Sequence, residues 1–288
     1  MTTSTPISRV GMFSTGSVQV RPDHAAATWK PMMLWLLTST KWTPPLPINF
    51  FVIEHREGLV LFDTGQDRAS VTDPGSYFPA GITGAMYRRS AKAVVPADQT
   101  MTAGLERLGY KPSDVSVVIL SHLHQDHVGG LAELSHARIY VSQAEWDTLA
   151  QPRAELGGLM RRHIDLPGLA WTKVTPAPTT DRALRPFTTA HDLFDDGSLV
   201  FIPTPGHTPG SLSLVVRRPG QPALALVGDL TFAPHLLESG HVPGAGDRKQ
   251  LQRTTAMMNE LHRNLGGLVV LATHDPGAEG ELSKAFVR

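Results

Sequence analysis

Ser121-His122-Leu123-His124-Gln125-Asp126-His127-Val128-Gly129-Gly130 puts four side chains able to ligate a metal within six positions: His122, His124, Asp126 and His127. At the extended end of a strand, His122 and His124, two apart, project to the same side, while Asp126 and His127 in the following turn can point to a second centre. A solvated polar turn would have to offset the repulsion among crowded protonated imidazoles, whereas metal ions take imidazole in its neutral form. Three later segments extend the set. Thr204-Pro205-Gly206-His207-Thr208-Pro209-Gly210-Ser211 fixes His207 in a glycine- and proline-shaped turn, Gly228-Asp229 ends one apolar run, and Thr273-His274-Asp275 follows another. Two divalent ions held by such residues would lower the pKa of a shared water enough to keep a hydroxide near neutral pH. That nucleophile suits a neutral cyclic ester, with one ion on the carbonyl and the other on the departing alkoxide. Asp126 is placed to orient the hydroxide and pass its proton to the leaving oxygen.

The elements that must hold these residues are legible in outline. Val115 to Leu120 is a β-branched apolar run of buried-strand type, preceded by a helical Thr100 to Leu108. Ile48 to Ile53 and Leu59 to Phe62 read as a hairpin, and Leu199 to Ile202, Leu212 to Val216, Ala223 to Val227 and Leu268 to Ala272 as further strands. Ser142 with Glu145 fits a capping box for a helix through Leu149, and Asp247 can cap a helix through Leu251, Thr255, Met258, Leu261 and Leu265. Each ligand thus follows a strand, so all can meet at one edge of the sheets, in a layered α/β arrangement. The stretch from Asp67 to Asp98, rich in Gly, Pro and aromatic residues, reads as a structure-poor insertion serving as lid or dimerisation segment.

Composition bounds the rest. The 288 residues fit one domain spanning 1–288, with no repeat or linker to divide it. Lys+Arg 26 cancels Asp+Glu 26, so the basic field of a nucleic-acid binder is missing. The absence of cysteine removes thiolate ligands, a cysteine nucleophile and disulfides. No apolar run is long enough for a membrane helix, and the polar opening MTTSTPISR carries no secretory pattern, so a cytoplasmic protein acting on a small molecule is expected. Met32 to Leu37 is an apolar stretch that fits the core, a homodimer surface or a wall of the substrate pocket.

With Leu61-Phe62-Asp63-Thr64-Gly65 upstream, the HxHxDH run, TPGHTPGS, the Gly-Asp pair and the late Thr-His-Asp resemble the metallo-β-lactamase superfamily in this order, from about Asn49 to Pro276. Within it, the runs around His122 and His207 look most like N-acyl-homoserine lactone lactonases. The resemblance implies an αββα four-layer sandwich with a dinuclear site at its edge. It implies that His122, His124 and His207 bind one ion, Asp126, His127 and His274 the other, and that Asp229 bridges them. Zinc is the expected metal, with iron, cobalt or manganese compatible with the same ligands. Asp63 matches a position where a carboxylate orients a ligating imidazole, and reads equally as a turn former.

One departure bears on the substrate. In the homoserine lactone lactonases a tyrosine three residues after the bridging aspartate donates to the substrate carbonyl; here that position is Phe232, whose ring cannot donate. Tyr77, Tyr87 or His235 could stand in, with Phe232 and His235 as pocket residues. The same hydroxide would serve a phosphotriester, β-lactam or thioester, and a non-catalytic metal scaffold is disfavoured because all seven ligand positions are filled. The remaining histidines, His24, His55, His136, His163, His191, His241 and His262, show no ligand spacing and read as structural.

Overall fold

Phe50, Phe51, Val52 and Ile53 are all buried although neighbours along a strand point to opposite faces, so this segment must be covered on both sides. The computed structural model, which describes residues 5–285, shows how. One sheet takes β1 (Ile7–Val20), β2 (Leu46–His55), β3 (Gly58–Phe62), β4 (Ala91–Val94), β5 (Val115–Ile119), β6 (Arg138–Ser142) and β7 (Ala170–Val174), side by side as β4-β1-β2-β3-β5-β6-β7. The other takes β8 (Ala177–Pro178), β9 (Thr189–Asp192), β10 (Leu199–Pro203), β11 (Leu212–Val216), β12 (Leu224–Leu226) and β13 (Val269–Leu271), in the order β13-β12-β11-β10-β9-β8. Helices α1 (Pro22–Ala25) and α2 (Met32–Thr38) follow β1, and α3 (Ala69–Thr72), α4 (Pro74–Tyr77) and α5 (Gly81–Ser90) precede β4. Later come α6 (Met101–Leu108), α7 (Gln143–Leu149), α8 (Arg161–Ile164), α9 (Pro234–Glu238), α10 (Arg248–Asn264) and α11 (Ala278–Ala285).

The two sheets face each other across Phe51, Phe62 and Ile119 on one side and Phe201, Leu214 and Leu226 on the other. The outer face of the first sheet, with Phe50, Val52 and Val118, packs on Met101 and Leu105 of α6 and Leu149 of α7. The outer face of the second, with Ile202, Val215 and Ala225, packs on Leu251, Met258 and Leu261 of α10. The result is the four-layer αββα sandwich. Burying one of these phenylalanines contributes roughly 2–3 kcal/mol by area, so the layers are held by many such increments.

Most expected elements form within a residue or two of their reading. Thr100 caps α6 by accepting from Ala103 N, and Asp247 caps α10 by accepting from Lys249 N and Gln250 N. Strand β1 and helix α11 were not expected; the Ser, Thr and Gly residues of β1 obscure its alternation, and its register shifts between Ser14 and Ser17. The stretch 67–98 is not structure-poor. Pro74 and Gly81 start α4 and α5, with Asp73 capping α4, and β4 pairs antiparallel with β1 as a sheet edge. Along Met32 to Leu37 the readings divide by side chain: Trp35 and Leu36 are buried, while Met33, Leu34 and Leu37 are exposed. No helix among the described residues is long and apolar enough to cross a membrane. Met1–Ser4 of the polar opening and residues 286–288 lie outside the described residues.

Candidate metal centre

Strand β5 ends at Ile119, and the loop after it carries His122, His124, Asp126 and His127 to the sheet edge where β10, β12 and β13 deliver His207, Asp229 and His274. His122, His124 and His207 offer nitrogens within 4.8 Å of one another, as do the ligand atoms of Asp126, His127 and His274, and of His122, His127 and Asp229. Asp229 lies between the groups. Its Oδ2 is 3.4 Å from His207 Nε2, and its Oδ1 is 3.4 Å from both His127 Nε2 and His274 Nε2. Asp126 Oδ2 stands 3.4 Å from His274 Nε2, and His124 Nδ1 stands 3.0 Å from His207 Nε2.

The outer nitrogens are held from behind. His127 Nδ1 donates to Asp63 Oδ2 at 2.8 Å, while Asp63 Oδ1 accepts from Ser121 N at 2.8 Å. Asp63 also takes a left-handed φ of 61°, a conformation that a short polar side chain tolerates better than a bulky one. Its carboxylate therefore orients an imidazole, the first of its two sequence readings. His274 Nδ1 donates to the Pro47 carbonyl at 2.9 Å and His124 Nε2 to the Gly157 carbonyl at 3.0 Å, which turns His124 Nδ1 inward.

Glu145 does more than its sequence suggested. Ser142 Oγ accepts from Glu145 N as a helix cap should, but the Glu145 carboxylate does not complete the box. Its Oε1 accepts from Leu123 N at 3.0 Å and its Oε2 from Gly210 N at 3.1 Å, tying the two histidine-bearing loops together. Gly210 sits so close that a Cβ would lie 2.0 Å from Glu145 N, so this junction needs glycine.

Electrostatics follow from burial and crowding. Burial opposes ionisation of Asp126 and Asp229, yet the His127 and His274 imidazoles outweigh it and hold both carboxyls below the usual range. Burial likewise opposes the charge on His274, but Asp229 and Asp126 raise it to about 10; His127 is raised by Asp63 and Asp229. Burial lowers His207 to about 3, and burial together with its neighbouring histidines pushes His122 well down. His122 Nε2, His127 Nε2 and Asp229 Oδ1 are buried without a hydrogen-bond partner. Buried imidazole nitrogens and carboxylate oxygens turned toward one place, several without an internal partner, are donors a divalent ion can take in place of the protons that His127 and His274 otherwise hold, so these residues fit such ions.

The cluster opens on a cavity of about 400 Å³ walled by Met32, Trp35 and Leu36 of α2 and by Thr83, Met86 and Tyr87 of α5. Phe232 lines it, its ring stacked on His274 with centroids 4.9 Å apart. His235 does not: it is exposed on α9 and outside the cavity, because α9 turns that face to solvent. Tyr87 Oη is committed, donating to the Glu155 carbonyl at 2.6 Å, and Tyr77 Oη accepts from Gln66 Nε2 at 3.3 Å. His24, which has no ligand spacing in the sequence, is not merely structural. It lines the cavity, 5.7 Å ring to ring from Phe232, and burial lowers it to about 4 despite Asp229. No spacing could have pointed to it, since β1 and α1 bring it to the centre from the far end of the chain.

Comparison with known proteins agrees with this architecture. A profile of the metallo-beta-lactamase superfamily matches residues 43–274. N-acyl homoserine lactonase AttM of Rhizobium radiobacter is 31% identical over 242 residues, covering 83% of this chain and 86% of that protein. The probable metallo-hydrolase Rv2300c of Mycobacterium tuberculosis is 26% identical over 281 residues, covering 92% and 86%. Among solved structures, a B. thuringiensis AiiA variant with N-decanoyl-L-homoserine bound at its active site superposes with a TM-score of 0.75 at 21% identity, covering 95% of this chain and 96% of that one. By the matched profile, the relatives and the shared sandwich, the chain belongs to the metallo-β-lactamase superfamily.

Proposed function

We propose that this protein is a dinuclear metal-dependent hydrolase that opens the lactone ring of N-acyl-homoserine lactones. The observation that carries the reading is the opening of the His and Asp cluster onto a cavity with an apolar wall, beside relatives named for that activity. His122, His124 and His207 would hold one ion, Asp126, His127 and His274 the second, and Asp229 would reach both through its two oxygens, with zinc the proposed metal. Bound there, the ions would supply an activated water and polarise the ester carbonyl. The chain's own residues do the rest. Asp126, kept ionised and facing the cavity, accepts a proton at a carboxylate oxygen and returns it to the ring oxygen as the C–O bond breaks. Met32, Trp35, Leu36 and Met86 take the acyl chain out of water, and Asp63 and Glu145 keep the ligating loops in register.

A second reading, hydrolysis of a phosphotriester or another electrophile on the same site, draws on Phe232, which offers no donor to a lactone carbonyl. One experiment separates the two: metal analysis by mass spectrometry with pH-indicator assays on acyl-homoserine lactones, γ-butyrolactone, an aryl phosphotriester and a cephalosporin. Two metals per chain with lactone turnover, abolished in Asp229→Ala, is the expected result. Phosphotriester or cephalosporin turnover alone would replace the substrate, and a chain that binds no metal would overturn the reading.

A further inference from the structure

A half-buried imidazole lines the cavity beside Phe232, which offers it no phenolic donor. His24 and Phe232 have ring centroids 5.7 Å apart, and Phe232 in turn stacks on His274, so His24 stands one ring away from the metal cluster. It lines the same cavity as Asp126, His207, Asp229 and His274. Its Nδ1 is shut off from water and has no hydrogen-bond partner, which leaves Nε2 as the nitrogen for a ligand. Burying an imidazole nitrogen unpaired costs free energy, so a lone histidine here is a poor choice for packing alone.

The segment that carries His24 is held from both sides. His24 N donates to the Arg21 carbonyl at 2.8 Å and its own carbonyl accepts from Gly244 N at 2.8 Å, while Ala27 N donates to the Val242 carbonyl at 2.7 Å. Gly244 fits because a Cβ there would lie 1.9 Å from the Asp23 carbonyl oxygen. Trp35, 5.6 Å ring to ring, backs the imidazole on another side. A donor on such a support needs little reorganisation during reaction. Other candidate hydroxyls are engaged elsewhere: Tyr87 donates to the Glu155 carbonyl, and Tyr77 is buried against Gln66 and His163.

We propose that His24 is a catalytic residue that donates a ring N–H hydrogen bond to the carbonyl oxygen of the lactone as that carbon becomes tetrahedral, the part Phe232 cannot play. This rests on the lactonase reading above. Water oxygen forms the new C–O bond, the ring C–O bond breaks, and the proton released from water ends on the ring oxygen. His24 keeps its own proton throughout.

The test uses the metal-loaded enzyme and three readouts. His24→Phe, at an unchanged two metals per chain by mass spectrometry, should lower kcat on N-hexanoyl-homoserine lactone by about 100-fold. His24→Gln, which keeps an N–H donor, should recover part of that loss, and Phe232→Tyr placed in the His24→Phe background should restore at least tenfold. In the unsubstituted zinc enzyme, titration with ring-opened N-hexanoyl-homoserine should shift the 15N resonances of the His24 ring, a readout that does not depend on either variant folding. His24→Phe within twofold of the parent at full metal content, or a His24 ring whose resonances ignore the product, would overturn the assignment. A parent enzyme that binds two metals and opens no lactone would overturn the substrate reading as well, an outcome visible before any variant is made.

Discussion

Asp63 orients the His127 imidazole, and Glu145 ties together the loops that carry His124 and His207, each from a distant place in the chain. Asp63 fixes which nitrogen of His127 carries the proton, so Asp63→Asn would offer an amide where the carboxylate accepts from three donors, Ser121 N, Ser121 Oγ and His127 Nδ1. The left-handed backbone at position 63 is one that asparagine also tolerates, so the chain should stay folded. Metal affinity should nevertheless drop by about 10- to 100-fold, measured by competition with a chromogenic chelator; unchanged affinity would mean that the His127 tautomer is set elsewhere. Glu145→Ala would strip the acceptor from Leu123 N and Gly210 N together, leaving two buried donors unpaired. A loss of about 2–4 kcal/mol is expected in urea denaturation, against less than about 0.5 for alanine at an exposed helical position such as Glu260. At this scale the motif histidines were legible because side chains able to ligate a metal crowd together in sequence. Glu145 was visible as a cap, and His24 not at all, because supporting and facing residues come from anywhere the chain returns to the site.

Helices α2 and α5 set the shape of the cavity, and neither carries a metal-ligating group. Met86 of α5 projects into it beside Tyr87, so Met86→Trp should narrow the apolar arm without touching the sheet edge. We expect kcat/KM for a decanoyl lactone to fall by about tenfold and that for a butanoyl lactone to change less than threefold, because lost chain contacts scale with the methylenes displaced. Equal losses for both would mean that the acyl chain lies elsewhere. Strands β5, β10, β11 and β12 were readable because they are short apolar runs with turn residues at both ends. The segment 67–98 was misread because short helices started by Pro and Gly carry too few residues for a periodic signal, and β4 owes its strand state to pairing with β1.

Across the whole molecule, the sandwich must hold its two sheets at fixed separation for ligands from both to meet. One tie lies at the end of β2, where Arg56 Nη2 donates to Asp196 Oδ2 at 2.8 Å and Asp196 Oδ1 accepts from Ser198 N just before β10. Burial alone would raise the Asp196 carboxyl; the Ser198 donors, His55 and Arg56 outweigh it and lower it. A carboxyl lowered in the fold contributes stability above its ordinary pKa and loses it as pH falls through the lowered value. Asp196→Asn should therefore cost about 1 kcal/mol at pH 7, with the gap closing below roughly pH 4 in denaturation curves recorded across pH. A gap that stays constant with pH would mean that charge plays no part in this tie. By itself the sequence determined the candidate ligand types, their attachment to strand ends and the layered class, because side-chain chemistry and apolar runs are local properties. The tertiary structure alone decided that Asp229 faces both groups of histidines, that α2 and α5 wall the cavity, that His235 is outside it and that His24 is inside. Those are distances between residues far apart in the chain, and they exist only once two sheets have closed on a common core.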